Sequence, residues 1–152
     1  ERISMTVNGR KILMVHGSPR KINEYLFEDR PSASVIRMFE TEKVDIITCG
    51  HTHLPYINDL IVEEGFETVT GPDGQPATRM KPGGRYILIN SGSVGKPKDG
   101  DPRAAYALLN IEDGSFKPEI IRVPYDVEAM ARAVEQSGLP VEYADMLRRA
   151  TG

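Results

Sequence analysis

The sequence predicts a mixed α/β domain built on one central sheet, and three observations carry that reading. Val44 to Cys49 is a nearly continuous apolar run, the pattern of a strand covered on both faces. Asn8-Gly9 sits between two short apolar segments, the strongest short-range hairpin signal. Val35, Ile36 and Phe39 recur at helical spacing after Pro31-Ser32, a helix start. With 152 residues, 39% hydrophobic and 27% charged, the chain has the length and composition of a single domain over 1–152.

Taken in order, Ile3 to Val7 alternates as a first strand and Lys11 to Val15 forms the second, ending in the loop His16-Gly17-Ser18-Pro19. Tyr25, Leu26 and Phe27 make a small apolar patch in a charged stretch. The strand from Val44 ends at Gly50-His51-Thr52-His53, and Tyr56 to Glu63 reads as another strand. Residues 64–84 contain Gly71-Pro72-Asp73-Gly74 and Pro82-Gly83-Gly84, so they read as a surface hairpin or loop insertion. Arg85 to Asn90 is a strand followed by Ser91-Gly92-Ser93-Val94-Gly95, and Lys96 to Arg103 is a polar loop. Ala104 to Ile111 and Phe116 to Val123 form a hairpin around Glu112-Asp113-Gly114. Asp126 caps a helix that stops at Gly138, and Val141 to Arg149 is a shorter one. Met130, Val134 and Leu147 at helical spacing are read as core.

Composition excludes several classes. Lys plus Arg is 19 and Asp plus Glu is 22, a formal net charge of -3, which gives no general pull toward nucleic acid or an anionic membrane. No apolar run approaches the ~20 residues that cross a bilayer. A single cysteine forms no internal disulfide and favours a reducing, cytoplasmic setting; Cys49 is read as a buried structural thiol. The chain starts at Glu1 with no signal-peptide pattern, so the expectation is that something precedes it.

The chemistry is concentrated in three histidines. In open α/β sheets, ligands gather outside the carboxyl ends of strands, and His16, His51 and His53 all follow strands. If Gly50 to His53 stays extended, the imidazoles of His51 and His53 point to one side, roughly 6.5 Å apart along the chain. That spacing serves one ion each in a pair of metals about 3.5–4 Å apart. A lone histidine in such a place is more often a satisfied surface or core residue; three of three at strand exits favour metal ligation. Arg20 follows the first loop, and its guanidinium matches phosphate geometry; a solvated charge is the competing reading. Ser93 is not a nucleophile, because Gly-x-Ser-x-Gly fails at Ser91. Gly95-Lys96 is not a phosphate loop, since Asn90 and Pro97 stand where Gly and Ser or Thr belong.

His16-Gly17-Ser18-Pro19, then Gly50-His51-Thr52-His53, then Asn90-Ser91-Gly92-Ser93-Val94-Gly95, in this order, resembles the calcineurin-like metallophosphoesterases, and within them the small prokaryotic phosphodiesterases. The resemblance runs from about Lys11 to about Asp126. It implies a four-layer α/β/β/α sandwich with two divalent metal ions at the strand ends, His16 and His51 ligating one and His53 the other. It further implies hydrolysis of a phosphate ester, read as a phosphodiester, by a hydroxide that bridges the metals, with no protein nucleophile. A nitrogen and oxygen ligand set suits Mn, Fe, Zn, Ni or Co better than Mg.

The family's upstream motifs, Asp-x-His, Gly-Asp-x-x-Asp and Gly-Asn-His followed by Asp or Glu, do not occur here. The chain is therefore expected to be the C-terminal part of the sandwich. Its expected partners are the missing N-terminal segment or another copy of itself, besides the phosphate-ester substrate. The alternative is a non-catalytic protein-binding scaffold on the same fold, with residues 64–84 as the partner surface. Three imidazoles in ligand order argue for the enzyme.

Overall fold

The computed structural model describes residues 2–72, 74–81, 83–112 and 115–152. Strands β1 (Arg2–Val7) and β2 (Arg10–Val15) pair antiparallel through a turn in which Asn8 (φ +47°) and Gly9 (φ +77°) are both left-handed. Two positive φ values match the twist of a two-residue hairpin, which is why Asn-Gly occupies it. Helix α1 (Ser32–Glu42) then leads into β3 (Ile46–Cys49) and β4 (Tyr56–Val62). β5 (Gly65–Thr70) and β6 (Pro76–Lys81) form a separate two-stranded sheet, and β7 (Gly84–Asn90) returns to the main sheet.

That sheet has the order β1-β2-β3-β7-β4, with β2, β3 and β7 parallel and both outer strands antiparallel to their neighbours. Successive side chains of a strand point to opposite faces, so each parallel strand feeds two cores. Leu13, Ile47 and Leu88 meet Val35, Met38 and Phe39 of α1 on one face. Ile12, Ile46 and Ile87 meet Phe116 on the other. Phe116 lies on the antiparallel pair β8 (Ala104–Glu112) and β9 (Ser115–Val123), which covers this second face. The guanidinium groups of Arg10 and Arg85 flank its ring at 5.0 and 4.5 Å. Burial on both faces explains why residues 44–49 are apolar without alternation. Helix, sheet and second sheet thus stack as the α/β reading requires.

Helices α2 (Val127–Gln136) and α3 (Glu142–Arg149) close the chain. Asp126 caps α2 by accepting a 2.8 Å hydrogen bond from the Ala129 amide. One expectation is corrected here. Met130 is 49% exposed rather than core, while Ala131, Ala144 and Leu147 are buried. α2 packs on α3, where small alanines allow close approach, and Arg148 pairs with Glu128 and Glu135 across the two helices.

Within residues 64–84, β5 and β6 form an exposed ribbon, with Asp73 and Pro82 outside the described residues. The β8–β9 turn at Asp113-Gly114 also lies outside them. All of β1 is exposed, and Met5, Val7 and Met14 line a cavity of about 530 Å³ facing β8.

Candidate metal centre

Parallel pairing brings three loops to one edge. Met14 of β2 is level with Thr48 of β3, and Cys49 is level with Asn90 of β7. His16, the segment 50–53 and the segment 91–95 therefore leave the sheet side by side. The Gly50 amide donates to the His16 carbonyl at 2.9 Å, which extends the β2–β3 ladder into the loops. His16 Nε2 lies 2.9 Å from His51 Nδ1, with ring centroids 4.8 Å apart and planes at 62°.

The extended spacing expected for His51 and His53 does not hold. β3 ends at Cys49, and both histidines are left-handed, at φ +64° and +63°. The Thr52 amide turns back to the Gly50 carbonyl at 2.7 Å, and Thr52 Oγ1 accepts from the Leu54 amide at 3.1 Å. Local hydrogen bonds thus replace the ladder, and the two rings take different partners. His51 turns to His16, while His53 Nδ1 donates to the Lys96 carbonyl at 2.7 Å. A non-glycine residue in this region costs on the order of 1–2 kcal/mol, so the surroundings must hold both in place.

Asn90, fully buried at the end of β7, does much of that. Its Nδ2 donates to the Gly50 carbonyl at 2.9 Å and to Thr52 Oγ1 at 2.8 Å, and its Oδ1 accepts from the Gly92 amide at 3.0 Å. One amide therefore ties the histidine loop to the next loop. Sequence reasoning missed this role; the signal available was a polar residue closing the apolar run from Arg85 to Asn90. Cys49, beside the site, is 3% exposed, and burial pushes its thiol up to about 12, so it stays protonated.

The loop after His16 has its own frame. A Cβ on Gly17 would lie 2.4 Å from the Ile22 carbonyl oxygen, so only glycine fits. Ser18 Oγ accepts from the amides of Arg20 and Lys21, both at 3.0 Å, and donates to the Glu24 carboxylate. Arg20 binds Glu24 through Nε and Nη2, and Arg30 adds a contact at 2.9 Å. Arg20 hydrogen bonding, aided by Ser18 and Arg30 and opposed by burial, holds the Glu24 carboxyl down at about 2. Arg20 thus stands in the loop of His16, ion-paired, and lines with it a cavity of about 210 Å³. Tyr25 stacks on His51 with centroids 4.2 Å apart and planes at 20°, a contact no sequence pattern announced.

The donor set fits a divalent metal in part. Two nitrogens about 2.1 Å from one ion at a right angle lie about 3 Å apart, which matches the His16–His51 pair. His53 shows the usual support of a ligating histidine, with one ring N–H on a backbone carbonyl and Nε2 left over. Among the described residues, no group of three His, Cys, Asp or Glu side chains is placed to hold a metal. Neutral imidazoles also bring no negative charge to offset a dication.

Two outcomes follow. Replacing Asn90 by Leu keeps the volume but strands the Gly50 carbonyl and the Gly92 amide; it should lower unfolding stability by about 2–4 kcal/mol in urea titration of the full-length protein. Metal affinity, read by calorimetry, should fall about 10–100-fold with it. Glu24→Gln should cost about 1–2 kcal/mol at neutral pH. Because the folded-state pKa is depressed, this stability is present above about 4.5, and the gap between the two proteins should close as pH falls toward about 2.

The sequence profile of the calcineurin-like phosphoesterase superfamily domain matches residues 1–114. An uncharacterised protein of Methanocaldococcus jannaschii is 33% identical over 144 residues, which cover 91% of this chain and 51% of that protein. A metallophosphoesterase from Sphaerobacter thermophilus superposes with a TM-score of 0.66 at 26% identity, over 97% of this chain and 58% of that one. A hypothetical protein from Pyrococcus horikoshii has the same fold, with a TM-score of 0.66 at 18% identity over 96% and 49%. The chain spans about half the length of these relatives. With its profile match, its α/β fold and its histidine loops at the carboxyl ends of parallel strands, the chain belongs to the calcineurin-like phosphoesterase superfamily.

Proposed function

We propose that this chain supplies the histidine ligands of a dinuclear metal centre in a phosphodiester hydrolase. The observation that carries the reading is the 2.9 Å approach of His16 Nε2 and His51 Nδ1 at the ends of adjacent parallel strands. The family is one of generally hydrolytic phosphoesterases. His16 and His51 would hold one ion and His53 the other. When bound, divalent metals supply Lewis-acid polarisation of the phosphoryl oxygens and a water of lowered pKa.

The chain's own residues do the positioning. For both lone pairs to face one ion, each ring must carry its own proton on the outer nitrogen, His16 Nδ1 and His51 Nε2, so the ring that donates in the hydrogen bond changes tautomer. His53 keeps its proton on Nδ1, against the Lys96 carbonyl. Glu24 takes Nε and Nη2 of Arg20, so Nη1 remains to meet a phosphate oxygen. Carboxylates to balance two dications would have to come from outside the histidine loops, and the exposed apolar side of β1 offers a surface on which a further segment could dock. Among the described residues, no helix is long and apolar enough to cross a membrane.

A scaffold role on the same fold has one observation in its favour. Phe66 and Met80 face each other across the β5–β6 ribbon, 79% and 59% exposed. That surface lies outside the histidine loops and does not account for them.

The full-length protein should hydrolyse bis(4-nitrophenyl) phosphate only with a divalent transition metal, and a chelator should abolish the reaction. His51→Ala should lower kcat on the order of 100-fold or more, since loss of a ligand also misplaces the metal. Residues 1–152 alone should bind at most one ion weakly and show no turnover. Full activity after exhaustive chelation contradicts the proposal.

A further inference from the structure

Two aromatic rings beside the histidines remain without a role. Tyr25 and Phe27 are 48% and 46% exposed, and their rings are stacked, 5.6 Å apart at 12°. The other stacking partner of Tyr25 is His51. Leu26, between them, is fully buried in the core beneath α1, so one residue anchors the segment and its neighbours point outward. The backbone is clamped as well. The Tyr56 hydroxyl donates to the Leu26 carbonyl at 2.8 Å, Arg30 Nη1 to the Tyr25 carbonyl at 3.3 Å, and Asn58 Nδ2 to the Glu28 carbonyl at 3.1 Å.

Burying a large aromatic side chain stabilises a protein, and here two rings forgo much of that. A fixed backbone that presents near-parallel rings at the edge of a phosphoryl site has the form of a stacking surface. Every base has a π-face that can stack on such a ring. Glu24 is paired with both Arg20 and Arg30, while Glu28 and Asp29 follow Phe27 directly in the chain.

We infer that Tyr25 and Phe27 form a platform that selects phosphodiesters carrying a planar base next to the reacting phosphorus, that is, nucleoside diesters. The inference rests on the hydrolase reading above and narrows its substrate class.

The test uses the full-length protein with its metal and two diesters, the dinucleotide ApA and the ring-free glycerophosphoethanolamine. Phe27→Ala should lower the ratio of their kcat/KM values (ApA over the ring-free diester) about tenfold, mainly through KM for ApA, and Phe27→Tyr should restore it. Saturation-transfer NMR with adenosine monophosphate, free of any turnover, should show the H2 and H8 base protons contacting the wild type but not Phe27→Ala. If neither diester is hydrolysed while the base protons still report contact, the hydrolase reading fails and the platform stands. An unchanged ratio together with no base contact overturns the platform. So does a Phe27→Ala protein with a lowered melting temperature and an unchanged ratio, because the ring is then a packing residue covered by the rest of the protein.

Discussion

The site depends on one buried amide. Asn90 carries two donors and one used acceptor into a fully buried position, where an unpaired polar group costs about 1–3 kcal/mol. That penalty works in both directions. The amide is tolerable only while Gly50, Thr52 and Gly92 hold their places, and these three hold the left-handed turns that aim His51 and His53. Backbone strain at the two histidines is thus offset by the hydrogen bonds that Asn90 makes in this loop conformation.

The sheet supplies the second constraint. Parallel strands share one polarity, so what leaves the ends of β2, β3 and β7 emerges on one edge whatever the loops contain. Ile46, Ile47, Ile87, Leu88 and Ile89 are buried between two packed layers, which holds the strand ends in place. Packed strand ends and a satisfied buried amide together hold His16 and His51 within hydrogen-bond distance.

Much of this was legible in the residues. The Asn8-Gly9 turn, the two-faced strand from Ile46, the helix after Pro31 and the cap at Asp126 each follow from a local rule, and each stands where that rule puts it. The convergence of His16 with His51 followed from strand polarity. What was not legible was the loop conformation. Alternation within Gly50–His53 assumed a strand, whereas local hydrogen bonds at Thr52 make a turn, and the Asn90 bonds that hold it link residues 38 and 40 positions apart. Met130 failed for a related reason, since helical spacing says which residues share a face but not whether a partner lies against it. Tyr25 on His51 is likewise a contact between distant loops, invisible until the sheet has brought them together.

The most direct measurement is anomalous diffraction from crystals of the full-length protein grown with manganese or zinc. One ion should lie within about 2.0–2.3 Å of both His16 Nε2 and His51 Nδ1, with the hydrogen bond between those atoms gone. An ion bound elsewhere, with the two imidazoles still bonded to each other, would contradict the assignment of this pair as metal ligands.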